Sequence, residues 1–168
     1  MPTTKSRLKK NDAIEINSVA TTRFGIIEVV PEQLIHFNNG LIGFESQKRF
    51  VLIKTEQNSP FQWLQSLDLP WLAFPTMDPW LFQPDYSPTI SDVDCEEVDL
   101  QPADPRAILV IVTVPRDRPQ QMTANLLGPV LINLRNRLAR QIIVENEDYE
   151  TQHLIYETLV ARCDQQAA

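Results

Sequence analysis

The sequence predicts a mainly β protein, a small antiparallel β-barrel-like domain followed by a C-terminal helix. Three observations carry that prediction. Ala107–Val114, AILVIVTV, is the most β-prone octapeptide of the chain, with β-branched residues at six positions, and reads as a central core strand. Apolar runs then recur at spacings of about ten residues between turn signals, the pattern of a meander in a barrel or sandwich. Finally, the stretch Asn58–Tyr86 holds all three tryptophans, three of the seven phenylalanines and five prolines. Each proline removes a backbone donor and pushes its predecessor toward extended geometry, so short strands and rigid corners are expected there rather than helix. Aromatic groups bury large areas, so this stretch carries core, binding face or both.

In chain order, residues 1–12 form a polar basic tail without apolar periodicity and are expected to be disordered. The β domain is placed at 13–145 and a helical extension at 146–168. Ala13–Thr22 and Gly25–Val30 are two β-prone runs broken at Phe24-Gly25, and Leu34–Phe37 is a short strand after the corner at Pro31. Asn38-Asn39-Gly40 with Gly43 is the strongest turn signal, because Asn and Gly tolerate positive φ. Glu45–Arg49 is read as one helical turn and Phe50–Thr55 as a strand buried on both faces. Phe61–Leu67 carries apolar groups on both parities, as an inner strand does, and Leu72–Phe74 is a further short strand. Corners at Asp78-Pro79 and Pro84-Asp85-Tyr86 present Trp80, Leu81 and Phe82. Ser91–Asp99 is an acidic surface loop or short helix. After Pro115, strands are expected at Met122–Leu127, Val130–Leu134 and Arg137–Glu145, and an amphipathic helix at Glu150–Arg162.

The 168 residues are one domain's worth, and the net charge of −7 is uneven. Residues 1–12 carry +3, which leaves −10 on the rest and argues against wholesale phosphate binding. Cys95 and Cys163 lie far apart without a CxxC or a Cys/His cluster, so they read as two reduced thiols and no zinc site. No apolar run of the ~7–15 residues a secretory signal needs follows the N-terminal basic residues, and nothing approaches the ~20 apolar residues of a membrane span. A cytoplasmic protein is expected.

Catalytic equipment is sparse. His36 sits inside an apolar strand and His153 at the start of the expected helix, and no GxSxG elbow accompanies them. Asp68, Asp78 and Asp85 each lie within two residues of a proline, where Asp serves turns through its own backbone bonds. Four glycines cannot supply a GxGxxG or GxxxxGK[ST] cradle. The expectation is a binding protein with no enzymatic activity, no cofactor, no metal and no small-molecule substrate.

The residues also carry a resemblance. Asn39–Glu45 (NGLIGFE), Ser59–Ser66 (SPFQWLQS), Phe82–Tyr86 (FQPDY), Ile111–Val114 and Met122–Leu126 (MTANL), with Pro129 and Asn133, resemble the ordered signature of the flagellar assembly factor family, FliW, from about Thr22 to Glu145. The chain departs from the family pattern at Asn38-Asn39 and at Ile42, where proline is frequent. The resemblance implies a small non-enzymatic all-β barrel with two protein partners, cytoplasmic flagellin and the CsrA-type translational repressor, whose block on flagellin mRNA it relieves. No direct nucleic-acid contact and no membrane is implied. Asn58, Phe61, Trp63, Asp85, Tyr86, Met122, Thr123 and Asn125 are the expected protein-binding residues, since aromatic and polar-turn groups together are typical of interface cores. The alternative is a single-stranded RNA-binding β-barrel module, with the aromatics as stacking platforms and the arginines between Arg106 and Arg140 as a basic track. An esterase-like enzyme built on His36 is the distant third.

Overall fold

The structure, a computed structural model, describes residues 17–167. The expected basic tail and the first residues of the expected strand at 13–22 lie outside them. β1 (Asn17–Thr21) and β2 (Gly25–Val29) form a separate antiparallel hairpin. Its turn is closed by Thr21, whose hydroxyl donates to the Gly25 carbonyl at 2.7 Å and accepts from the Phe24 N–H at 3.0 Å. Gly25 has φ +68°, the conformation the Phe24-Gly25 break foreshadows.

The main sheet closes on itself. β3 (Ile35–Phe37), β4 (Arg49–Ile53), β5 (Phe61–Ser66), β6 (Ala73–Met77) and β7 (Arg106–Thr113) follow one another antiparallel. β7 continues to β9 (Val130–Asn133) and β9 to β10 (Leu138–Gln141), also antiparallel. β10 then lies parallel to β3, Leu138 opposite His36 and Ala139 opposite Phe37, which completes a seven-stranded barrel. β8 (Thr123–Ala124) pairs with the far end of β7, and β11 (His153–Leu154) pairs with β8. α1 (Asp92–Glu97) lies in the long connection between β6 and β7, and α2 (Tyr156–Gln166) ends the described chain.

Alternation along β7 divides the apolar residues into two cores. Leu109 belongs to a cluster with Ile35, Phe37, Phe50, Leu64, Val130 and Ile132, which fills the barrel. Ile108, Val110 and Val112 face the opposite way, into a second cluster with Met77, Phe82, Tyr86, Leu126, Ile142 and Ile155. That outer core is roofed by the connection between β6 and β7 and by the chain after β10. β7 is therefore covered on both faces from Ala107 to Val112, as a central core strand is, while Thr113 and Val114 are exposed.

Several elements differ from expectation for definable reasons. Glu45–Arg49 is no helical turn: Phe44 N bonds Leu41 O at 2.8 Å and Gln47 N bonds Phe44 O at 3.0 Å in two tight turns, and Arg49 opens β4 beside the Asp68 carboxylate. β6 runs through Pro75 to Met77, longer than the expected strand, because β7 pairs only with Thr76 and Met77 and leaves the proline on an unladdered edge. The strand expected at Met122–Leu127 is confined to two residues, since Asn125–Pro129 bulge out before β9 rejoins β7. The final helix starts at Tyr156 rather than Glu150, because His153 and Leu154 are recruited as β11 and Ile155 is fully buried. Phe82 is buried in the outer core, while Trp80 and Leu81 remain exposed. Ser91–Asp99 does form the short helix, N-capped by Ser91, whose Oγ accepts from Asp94 N at 3.1 Å.

Candidate functional site

The eight residues expected to make contacts fall into four places. Thr123 and Asn125 stand at one end of the barrel, where β7 and β8 pass the bulge. Trp63, on β5, is half-buried under the β1–β2 turn: its ring meets Phe24 edge-on at 5.9 Å, and the Arg23 guanidinium lies 4.1 Å from its centroid. Asn58 is exposed in the turn before β5. Tyr86 is buried in the outer core, with Phe61 and Met122 packed against that core and Asp85 exposed beside it.

Tyr86 is a structural clasp. Its hydroxyl donates to the Leu126 carbonyl at 2.7 Å, and its ring lies 4.7 Å from Tyr149. Burial pushes its ionisation well above the ordinary range, with a smaller push from Tyr149. The Tyr149 hydroxyl accepts from Ser87 N at 2.7 Å, and Asn146 Oδ1 accepts from Thr89 N at 3.1 Å. These bonds fasten the 86–90 segment to the chain after β10.

At the barrel end near Asn125 lies a hollow of about 410 Å³. Its floor is the edge of the interior core, where Phe74 of β6 and Ile111 of β7 face inward on diverging strands. Its rim is held by amides. Gln141 Oε1 accepts from Ile42 N at 3.0 Å, and Gln141 Nε2 donates to the Gly128 carbonyl at 3.0 Å. Asn125 Oδ1 accepts from Gly128 N at 2.8 Å. Gly128 is demanded by this close approach, since a Cβ there would stand 2.9 Å from Asn125 Nδ2 and 3.1 Å from Gln141 Nε2. Ile42, 56 % exposed, and Ile143, 66 % exposed, flank the opening, and no lining residue is titratable.

Ile42 and Ile143 also border a second hollow of about 450 Å³ toward α1, with Val93, Asp94 and Arg140. Here one cation meets two carboxylates. Arg140 Nε lies 2.9 Å from Asp94 Oδ1, a charge contact outside hydrogen-bond geometry, and Arg140 Nη1 lies 3.4 Å from Glu97 Oε2. The Gly43 N–H, donating at 2.9 Å, holds the Glu45 carboxyl below its usual range. Ile42, Gln141 and Ile143 are the members of this site that the sequence reading missed. The Ile42-to-Gln141 bond spans 99 positions, and no local pattern announces it.

Of the six arginines of the basic track that the RNA alternative expects between Arg106 and Arg140, four bond within the protein, while Arg116 and Arg118 are exposed. Arg135 pairs with Asp99 at 3.0 Å and Asp104 at 2.8 Å. Arg106 donates to the Pro102 carbonyl at 3.3 Å, and Arg137 donates to that of Gln33 at 3.2 Å. Among the described residues no three His, Cys, Asp or Glu side chains are grouped to hold a metal, and no helix is long and apolar enough to cross a membrane. His36 faces Arg49 and Leu138 across its neighbouring strands.

Fold and site together define a class: a small closed β-barrel roofed on one outer face, with an uncharged hollow at one end. Within that class the chain belongs to the FliW family, whose model, described as FliW protein, matches residues 18–155. The flagellar assembly factor FliW of Pseudothermotoga lettingae is 43 % identical over 134 residues, 80 % of this chain and 85 % of that one. That of Desulfitobacterium hafniense is 38 % identical over 138 residues, 82 % and 90 % of the two chains. A crystal structure of the flagellar assembly factor FliW superposes with a TM-score of 0.77 at 33 % identity, covering 83 % of this chain and 96 % of that one. Assembly factors of this kind are not an enzymatic family, and no catalytic activity is indicated here.

Proposed function

We propose that this protein acts by binding alone, as a cytoplasmic partner switch between flagellin and a CsrA-type translational repressor. When free flagellin falls, the protein becomes available to the repressor and relieves its block on flagellin mRNA. Such a switch needs only mass action between two partners and no chemistry. Supporting this reading, beyond family membership, is one observation: a hollow with an exposed apolar rim and no titratable lining, on a protein whose charge is otherwise −7. An apolar rim kept exposed on a charged surface is the mark of a contact site rather than of a reaction centre. Of the eight expected contact residues, Asn125 lines this hollow and Thr123 pairs with its lining residue Thr113; Asn58, Trp63 and Asp85 serve other parts of the contact surface.

The test is size-exclusion chromatography of the purified protein mixed separately with flagellin and with the repressor, followed by a mobility-shift titration on flagellin mRNA leader. Co-elution with each, no retention of RNA by the protein itself, and release of repressor-bound RNA are expected. Elution apart from both partners would defeat the reading. Pairing of Arg135 and Arg140 with carboxylates weakens the basic track that the single-stranded RNA alternative needs.

A further inference from the structure

We infer that Asn39 is a site of spontaneous covalent modification: its carboxamide converts to aspartate and isoaspartate, and the conversion releases the turn after β3 from α1. The inference goes beyond the proposed switch and does not depend on it. Of the chain's four glycines, Gly40 alone follows an asparagine. A side chain at the following position crowds the backbone nitrogen that must attack the asparagine carboxamide, and glycine has none. The fold requires glycine there, because Gly40 has φ +68° and a Cβ would stand 2.6 Å from Phe44 O and 2.7 Å from Glu45 Cα. Asn39 is exposed, and the Gly40 N–H reaches its acceptor, Phe37 O, only at 3.3 Å, past the usual range of about 2.7–3.2 Å. A weakly held nucleophile thus stands beside an accessible carboxamide.

Water is the only co-reactant. The Gly40 nitrogen gives its proton to solvent base and bonds to Asn39 Cγ, the Cγ–Nδ2 bond breaks, and Nδ2 takes a proton from solvent and leaves as ammonia. Water then opens the five-membered imide. Opening at Cγ yields aspartate, and opening at the backbone carbonyl yields isoaspartate, with the main chain rerouted through Cβ and Cγ. Either product puts a carboxylate where an amide stood. Asn39 Nδ2 donates to Glu97 Oε2 at 3.0 Å, a bond that two carboxylates cannot make. Like charges at that separation repel. Arg140, 2.9 Å from Asp94 and 3.4 Å from Glu97, then faces three carboxylates instead of two. The Asn38 Nδ2 bond to the Glu97 carbonyl, at 3.2 Å, is left to hold the turn against α1. The C-terminal end of α1 loosens, where Asp99 N bonds Glu96 O at 3.0 Å and Leu100 N bonds Cys95 O at 2.8 Å.

The experiment incubates the purified full chain in mildly alkaline buffer and follows each asparagine by proteolysis and mass spectrometry, with aspartate and isoaspartate peptides separated by retention. Circular dichroism establishes that the chain stays folded throughout. The expected result is conversion of Asn39 about tenfold or more faster than that of Asn38, Asn136 or any other asparagine of the described residues. Asn39→Gln should resist conversion at that position. Hydrogen exchange of fresh protein then compares the wild type with Asn39→Asp, which carries the new charge from the start. Exchange at Asp99 and Leu100 should be about threefold or more faster in Asn39→Asp, while Phe50 and Val51 of β4 hold steady. An Asn39 that stays intact, or converts no faster than the other asparagines, overturns the modification site. A folded Asn39→Asp protein with wild-type exchange at Asp99 and Leu100 overturns the release from α1.

Discussion

The barrel interior and the outer core share β7 yet are closed by different means. The interior is sealed by a continuous ring of strand ladders, and its residues Ile35, Phe37, Phe50 and Leu64 are fully buried by regular alternation. The outer core is roofed by irregular chain held by side-chain bonds: Tyr86 to Leu126, Tyr149 to Ser87, Asn146 to Thr89, and Asn133 Nδ2 to the carbonyls of Val98 at 3.1 Å and Asp99 at 3.0 Å. Backbone ladders distribute a loss over many bonds, whereas single clasps concentrate it. The two regions should therefore fail differently.

The largest effect is expected from Phe50→Ala, which empties a fully buried site against the Phe37 ring 5.1 Å away. It should cost about 3–5 kcal/mol in a single cooperative denaturant transition. A second transition appearing in that variant would break the comparison by making the two cores separable units. Tyr86→Phe should cost about 1–3 kcal/mol, because the buried Leu126 carbonyl loses its donor. Hydrogen exchange should then rise in Ile142–Ile155 and hold steady in β3 and β4; a uniform rise would contradict local closure. The same hydroxyl gives a pH signature. Its ionisation is raised in the folded protein, so its contribution is intact below the unfolded tyrosine's value of about 10 and is lost as pH climbs beyond it. The wild type should thus lose more stability than Tyr86→Phe above that pH, as read by melting temperature across an alkaline series.

Gly128→Ala sharpens the comparison at the barrel end, where ladder gives way to amide bonds. The added methyl must displace the flexible ends of Asn125 and Gln141, at a cost of about 1 kcal/mol, the low end for overpacking. The side-chain amide resonances of both residues should shift while those of Gln65 stay in place. The smallest effect belongs to Arg23→Ala, which removes the cation over Trp63 and should cost about 0.5–1 kcal/mol, measured by chemical denaturation. A loss several times larger would mean that the β1–β2 hairpin is part of the barrel's own closure.

What the sequence disclosed follows the same division. Runs governed by local alternation were legible: AILVIVTV as the central strand, Phe61–Ser66 with both faces covered, and the Gly40 and Gly43 turn, where both glycines take positive φ. Elements decided by distant partners were not. Pro75 looks like a breaker in isolation and becomes tolerable because β7 leaves that stretch of β6 unladdered. His153 and Leu154 continue the pattern of a helix until β8 claims them as a strand. The site was legible only in part. Asn125, singled out for its polar setting, lines the hollow, whereas Tyr86 combines the aromatic and hydroxyl groups of an interface residue with the duties of a core clasp. Gln141 and Ile143 sit in an apolar run that gives no hint of the turn at Ile42 brought against them.

The one parallel contact in the barrel, β3 with β10, joins residues about a hundred positions apart. On the ribosome, where about 5–20 residues are added each second, β3 emerges with one edge bare and waits about 5–20 seconds for its partner. During that interval the nascent chain offers an unpaired strand beside Phe37 and Phe50, the template on which misassociation between neighbouring chains begins. The three-residue length of β3 limits the hazard, because so short an edge gives a stray strand little to hold.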